Sequence, residues 1–207
     1  MAPETSGITS IELLLDDDAE ARIRAEWEAL AAAGMSSMAG HEAASNRPHV
    51  TLLARSLPVP HPLRVGGVSL PLPIVLGAPL LFGEGDRRVL ARSVVPSSGL
   101  LGLQRAVLTA AGNGDGSGGP DDGPGLARGD WSAHEHGLGH GHASGNGNDG
   151  QFFAPGRWTP HVTLARRIRL VDLPAALRLL GPEIEAHGVA LRRWDAASAT
   201  VSSVDIR

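Results

Sequence analysis

Two stretches of this 207-residue chain are the same pentapeptide, Pro48-His49-Val50-Thr51-Leu52 and Pro160-His161-Val162-Thr163-Leu164. An imidazole exchanges a proton near neutral pH, and a hydroxyl donates a hydrogen bond to a phosphate oxygen. In a β-strand alternate side chains face the same way, so His49 and Thr51 share one face while Val50 and Leu52 take the other. The same parity holds for His161 and Thr163. Apolar residues then fix each strand on a core, and an imidazole and a hydroxyl project together from the opposite side.

If a pseudo-twofold axis relates the two copies, both pairs converge on one cleft. One neutral imidazole can remove a proton from an attacking oxygen while the other, protonated, donates to the leaving oxygen. The two Thr hydroxyls can steady non-bridging phosphate oxygens as charge builds on them. Strand parity continued from the histidines puts Arg55 and Arg167 on the same side, where a guanidinium fork matches phosphate, and turns Arg166 away. A lone His-x-Thr is more often a structural pair, but two identical copies in matching contexts favour catalysis or phosphate binding. Phe153 and Trp158, just before the second motif, are candidates for stacking on a base, with core packing the competing reading.

These residues need strands to present them. Residues 8–15, apolar and ending at Asp16-Asp17-Asp18, read as a buried strand. The Asp residues then cap a helix over 19–33 that stops at Gly34. The first motif gives a short strand over 49–55, broken by the Pro-rich stretch 58–62. Two further strands, 72–82 and 87–95, flank the turn-like 83–86 and resemble a hairpin. Ser97-Ser98 caps a helix over 99–111, and the second motif strand runs to residue 170. Asp172 and Pro174 open a helix through 180, and 189–194 and 198–206 read as closing strands. The expected fold is α+β, one domain of two pseudo-symmetric halves, each of antiparallel sheet plus helices, around a central cleft.

Residues 112–150 are rich in Gly, Asp, Asn and Ser, and are expected to be a disordered surface insertion. His134-Glu135-His136 and His140-Gly141-His142 lie in it. Alternating His can bind a metal, but so Gly-rich a segment holds no fixed geometry, so no metal site is assigned. The Gly run at 112–119 lacks the Lys and the strand-to-helix setting of a phosphate loop. His41, His61 and His187 have no recognisable partner and read as loop or helix-end residues.

Composition narrows the chemistry further. With no cysteine there is no thiolate nucleophile, disulfide or Cys-ligated zinc. The net charge of −4 argues against nonspecific coating of nucleic acid, so any contact with RNA is local. No apolar run approaches the roughly 18 residues of a membrane helix, and the N-terminus lacks the pattern of a secretory signal. A cytoplasmic monomer is expected. Every Lys or Arg is in fact Arg, which with abundant Ala and Gly suggests a GC-rich, bacterial coding bias.

The paired His-x-Thr-x motifs, each preceded by Pro, resemble those of the two-histidine (2H) phosphoesterase superfamily. Trp158-Thr-Pro-His-Val-Thr-Leu-Ala-Arg-Arg167 is especially similar to the second motif of its 2′-5′ RNA ligase-like branch. The resemblance implies a bilobal α+β fold. It also implies action without metal or cofactor on 2′,3′-cyclic phosphates or 2′-5′ phosphodiesters, with RNA ends or cyclic nucleotides as partners. Carried to the matching positions, it makes His161 the base and His49 the acid, an assignment that the near symmetry of the pair leaves reversible. The other readings of the same residues are a phosphodiesterase for a small non-RNA cyclic phosphate, and a non-catalytic module that clamps RNA ends or nucleotides.

Overall fold

In the computed structural model, which describes residues 7–41, 43, 45–56, 59–112, 151–154 and 156–207, the strand β1 (Thr9–Leu15) is buried at all seven positions. It is followed by α1 (Asp17–Ala32), whose N-cap Asp16 accepts a hydrogen bond from the Ala19 amide at 2.8 Å. Asp17, Asp18 and Glu20 place negative charge in the first turn, where the helix dipole favours it. The chain continues through β2 (His49–Arg55), β3 (Arg64–Val65), β4 (Leu72–Phe82) and β5 (Arg87–Val94) to α2 (Ser98–Ala110). Ser97 caps α2 by accepting from the Leu100 amide at 3.2 Å. The last elements are β6 (His161–Arg169), α3 (Leu173–Leu179), β7 (Ile184–Asp195), β8 (Thr200–Ser203) and β9 (Asp205–Ile206).

Seven strands make one antiparallel sheet in the order β2-β1-β7-β4-β5-β6, with β8 also pairing β7. β3 and β9 form a small parallel pair. The α+β class expected from the sequence is therefore present, and the 72–82 and 87–95 hairpin is β4–β5. Two similar groups are visible, β7-β1-α1-β2 and β4-β5-α2-β6, joined where β7 pairs β4 from Leu72↔Gly188 to Leu76↔Ile184. The sheet runs unbroken across both groups. The strand expected at 189–194 is longer than anticipated, because Glu185, His187 and Val189 are exposed while Ile184, Ala186 and Gly188 are buried. Polar residues at alternate positions disguise its first half, and His187 lies in this strand rather than in a loop.

The helices cross between the groups. α1 contacts β7 and β6, while α2 contacts β2, β3 and β4, so each motif strand rests on the helix of the other group. Val50 and Leu52 of β2 and Val162 and Leu164 of β6 are fully buried on this helix-covered side, as strand parity requires. The buried ion pair of Arg92 (β5) and Glu26 (α1) ties the layers together. Arg92 Nε donates to Glu26 Oε2 at 2.8 Å and Arg92 Nη2 to Oε1. Arg92 also donates to the Gly77 and Gly181 carbonyls at 3.1 and 2.6 Å, and the Gly181 amide donates to Glu26 at 2.9 Å. A buried charge is tolerable only when paired and hydrogen-bonded, and both conditions are met here.

The insertion expected at 112–150, with His134, His136, His140 and His142, lies outside the described residues from 113 onward. No described helix is long and apolar enough to cross a membrane.

Breaking the buried pair should be costly because it leaves one charge without its partner. Glu26→Ala is expected to lose about 3–5 kcal/mol in a urea titration, while Glu26→Leu/Arg92→Met recovers most of that loss.

Candidate active site

The two motif strands lie at opposite edges of the sheet, yet the sheet curls until Cα atoms of β2 and β6 come within 8 Å of one another. His49, Thr51, His161 and Thr163 are half-buried, on the side away from the fully buried Val50, Leu52, Val162 and Leu164. Each imidazole is fixed in the same way. His49 Nδ1 lies 2.7 Å from the Arg47 carbonyl, and His161 Nδ1 lies 2.7 Å from the Thr159 carbonyl. A carbonyl can only accept, so Nδ1 carries hydrogen in both rings and Nε2 is the atom that gains or loses a proton. Two equivalent proton-transfer atoms, oriented by their own strands, are thus presented from two facing edges.

Immediately after each Thr the strand bulges. Ile11↔Leu53 is followed by Glu12↔Thr51, which skips Leu52; Leu90↔Ala165 is followed by Ala91↔Thr163, which skips Leu164. A bulge adds a residue and reverses the facing of the positions beyond it. The two cationic positions chosen from simple alternation are therefore relocated. Arg55 is turned inward, only 7% exposed, and its Nη2 donates to the Ala111 carbonyl at 2.6 Å. It caps the C-terminal end of α2, and burial pushes its guanidinium below the ordinary value. Arg167 is exposed, and its amide donates to Ser36 Oγ at 3.2 Å. Arg166, which alternation turns away, is half-buried at a second register skip between Arg88 and Leu90. Burial lowers its guanidinium from the ordinary value. Burial, and then the charge of Arg166, also push the His41 imidazole down. An Arg that strand parity set aside and a His read as a partnerless loop residue thus sit together beside the second motif.

Edge strands also turn carbonyls away from the sheet ladder, and a carbonyl shielded from water needs a donor. Here the donors are indoles. Trp27 Nε1 of α1 donates to the Thr163 carbonyl at 3.0 Å, and Trp158 Nε1 donates to the Thr51 carbonyl at 3.0 Å. Each motif Thr is therefore held through its main chain by a Trp of the other group. Of the two base-stacking candidates, Trp158 and Phe153 both pack against the hydrophobic core, and the Phe153 carbonyl accepts from Gln104 Nε2 at 2.6 Å. A further aromatic ring lies beside a catalytic candidate: Phe82 at the end of β4, with centroid 4.6 Å from that of His161.

A carboxylate that the motifs do not contain completes the site. Glu12 pairs with Thr51 across β1 and β2, and its Oε1 lies 3.6 Å from His49 Nε2. It accepts from Ser10 Oγ at 2.6 Å and from Arg192 Nε at 2.7 Å, and is 3% exposed. Burial alone favours its neutral form, but His49, Arg192 and Ser10 outweigh burial and hold the carboxyl below its ordinary value. The sequence signal for it was a single carboxylate inside an apolar strand, Ile11-Glu12-Leu13-Leu14-Leu15. Among the described residues, no group of three or more His, Asp or Glu is arranged to hold a metal ion.

These contacts set two expected outcomes. Trp27→Phe and Trp158→Phe keep the ring but orphan a carbonyl, and each is expected to cost about 1–3 kcal/mol in denaturant unfolding. Because the folded-state value of Glu12 is depressed, its stabilising contribution is complete above the unfolded value of 4.5 and disappears as pH falls through the lower folded one. Measured from pH 7 to pH 3, the stability of Glu12→Gln should therefore fall less below pH 4.5 than that of the unaltered protein.

Neither a protein-family model nor a curated protein matches the chain. Among solved structures it is similar to Usb1 of Kluyveromyces marxianus, at 12% identity and a TM-score of 0.43, with 98% of this chain and 100% of that one covered. The structure of Kluyveromyces marxianus Usb1 with uridine monophosphate is similar at 11% identity and a TM-score of 0.40, with 97% and 99% covered.

Proposed function

We propose that the chain is a metal-independent phosphodiesterase that opens 2′,3′-cyclic phosphates at RNA ends or in nucleotides, with the corresponding ligation as the reverse reaction. The observation that carries this reading is the pair of identically oriented imidazoles, each held by its Nδ1 on a main-chain carbonyl, on two edge strands that approach one another. His161 removes a proton from water as its oxygen bonds to phosphorus. His49 delivers a proton to the departing 3′ oxygen as that P–O bond breaks, leaving a 2′-phosphate. Thr51 and Thr163 donate to the non-bridging oxygens, whose added charge in the transition state strengthens those bonds. Arg166, rather than Arg55 or Arg167, is the guanidinium best situated to contribute positive charge at the second motif. The likeness of both motifs to the 2′-5′ RNA ligase-like branch supports RNA ends or nucleotides as the substrate class.

The test is turnover of a 2′,3′-cyclic nucleotide and of an RNA ending in a cyclic phosphate, with and without EDTA. Turnover indifferent to EDTA is expected, falling about 10²–10⁴-fold in His49→Ala or His161→Ala, the usual worth of a general acid or base. Binding of either substrate without turnover would replace the enzyme with a phosphate clamp, and indifference to both would remove RNA ends and nucleotides as substrates.

A further inference from the structure

The two motifs are identical in sequence but not in what faces them. Across β1 and β2 the residue opposite Thr51 is Glu12; across β5 and β6 the residue opposite Thr163 is Ala91. Directly opposed residues of an antiparallel pair project on the same side, so Glu12 stands on the site face while the matching position of the second group carries a methyl. Glu12 uses its two oxygens differently. Oε1 accepts from Ser10 at 2.6 Å and lies 3.6 Å from His49 Nε2, whereas Oε2 accepts from Arg192 at 2.7 Å. At 3.6 Å the carboxylate is beyond a hydrogen bond yet well within the range in which an opposite charge is strongly favoured, and at 3% exposure little water screens it.

We propose that Glu12 breaks the symmetry of the site: its carboxylate holds a proton on His49 Nε2, which makes His49 the general acid and leaves His161 to act as the base. This division of labour rests on the phosphodiesterase reading, and it supplies a choice that the motifs leave open. Glu12 is a positioning residue here, acting through His49 rather than on the substrate. The other charged groups around His49 leave this balance in place. On β7, Arg192 approaches Glu12 from the far side of the carboxylate. Just before β2, Arg47 is engaged by Glu20 of α1 at 2.5 and 2.8 Å, and at the end of β2 Arg55 is turned to the end of α2. From β6 come His161 and Arg166, and His41 of the neighbouring loop is coupled to Arg166. These add positive charge, so the Glu12 carboxylate is the group that favours a cation at His49.

The experiment compares the unaltered protein with Glu12→Gln and with Glu12→Gln/Arg192→Gln, the second variant avoiding an unpaired buried guanidinium. Two readouts are taken on each. One is the titration of the His49 and His161 ring signals by NMR without substrate, and the other is the pH–rate profile on a 2′,3′-cyclic nucleotide. In Glu12→Gln the His49 midpoint and the alkaline limb of the profile are expected to move to lower pH, with a smaller movement in the same direction in the double variant. The His161 midpoint and the acidic limb stay in place. An unmoved His49 midpoint in both variants, or displacement of the acidic limb instead, overturns the assignment. Absence of turnover in the unaltered protein, with the His49 midpoint still displaced in the variants, overturns the phosphodiesterase reading but leaves the Glu12–His49 coupling intact.

Discussion

The arrangement of the site depends on two main-chain carbonyls, those of Thr51 and Thr163, on the two edge strands of the sheet. Left without donors, each would cost about 1–3 kcal/mol. The indoles of Trp158 and Trp27 satisfy them at 3.0 Å each. Because Trp27 belongs to α1 and Trp158 precedes β6, each bond also pulls one motif strand toward the opposite group. Each indole bond therefore serves at once to satisfy a carbonyl on an edge strand and to hold that edge near its counterpart. Acid–base chemistry shared by two imidazoles is sensitive to such placement, since both must lie within hydrogen-bonding reach of one reacting centre.

Under the repeat of backbone and motif, the two groups have exchanged where they keep their charge. Opposite Val50 the first group has the core residue Leu13, while opposite Val162 the second has Arg92. Opposite Thr51 and Thr163 the pattern is reversed, with Glu12 in the first group and Ala91 in the second. One group therefore buries its charge toward the helices and the other toward the site. Arg92 and Glu26 join layers of the fold, whereas Glu12, held by Arg192, stands beside His49. A duplicated scaffold supplies two equivalent imidazoles, and unlike neighbours give each its own electrostatic setting.

The strands and helices that carry the motifs were legible because their signals are local: period-two burial in β2 and β6, Asp16 and Ser97 as caps, and a turn between β4 and β5. The motif parity was legible for the same reason. Alternation failed at Arg55 and Arg167 because it was carried through a bulge. The warning was present as adjacent apolar residues, Leu52-Leu53 and Leu164-Ala165, where strict alternation demands an apolar and a polar residue. Trp27, Phe82 and Glu12 were not legible, since their roles depend on partners far along the chain. A carboxylate in an apolar strand announces that it has some partner without naming it. The first half of β7 was hidden by polar residues at alternate positions, which is the normal pattern for a strand with one face in water.

The crossed packing of α1 under β6 and α2 under β2 has a consequence for how the chain reaches this state. Contacts that secure the motif strands join residues far apart in sequence: 136 positions for Trp27 and Thr163, 107 for Trp158 and Thr51, and 66 for Glu26 and Arg92. The entropy of closing such loops is lost before the contacts form, so topology of this kind slows folding and makes partial structures unrewarding. Neither β-α-β group can complete its own packing, because each lends its helix to the other. Assembly is therefore cooperative across the whole sheet. A chain that has acquired only one group has gained three strands, a helix and a histidine, but neither the hydrophobic support nor the indole that would keep that histidine in place.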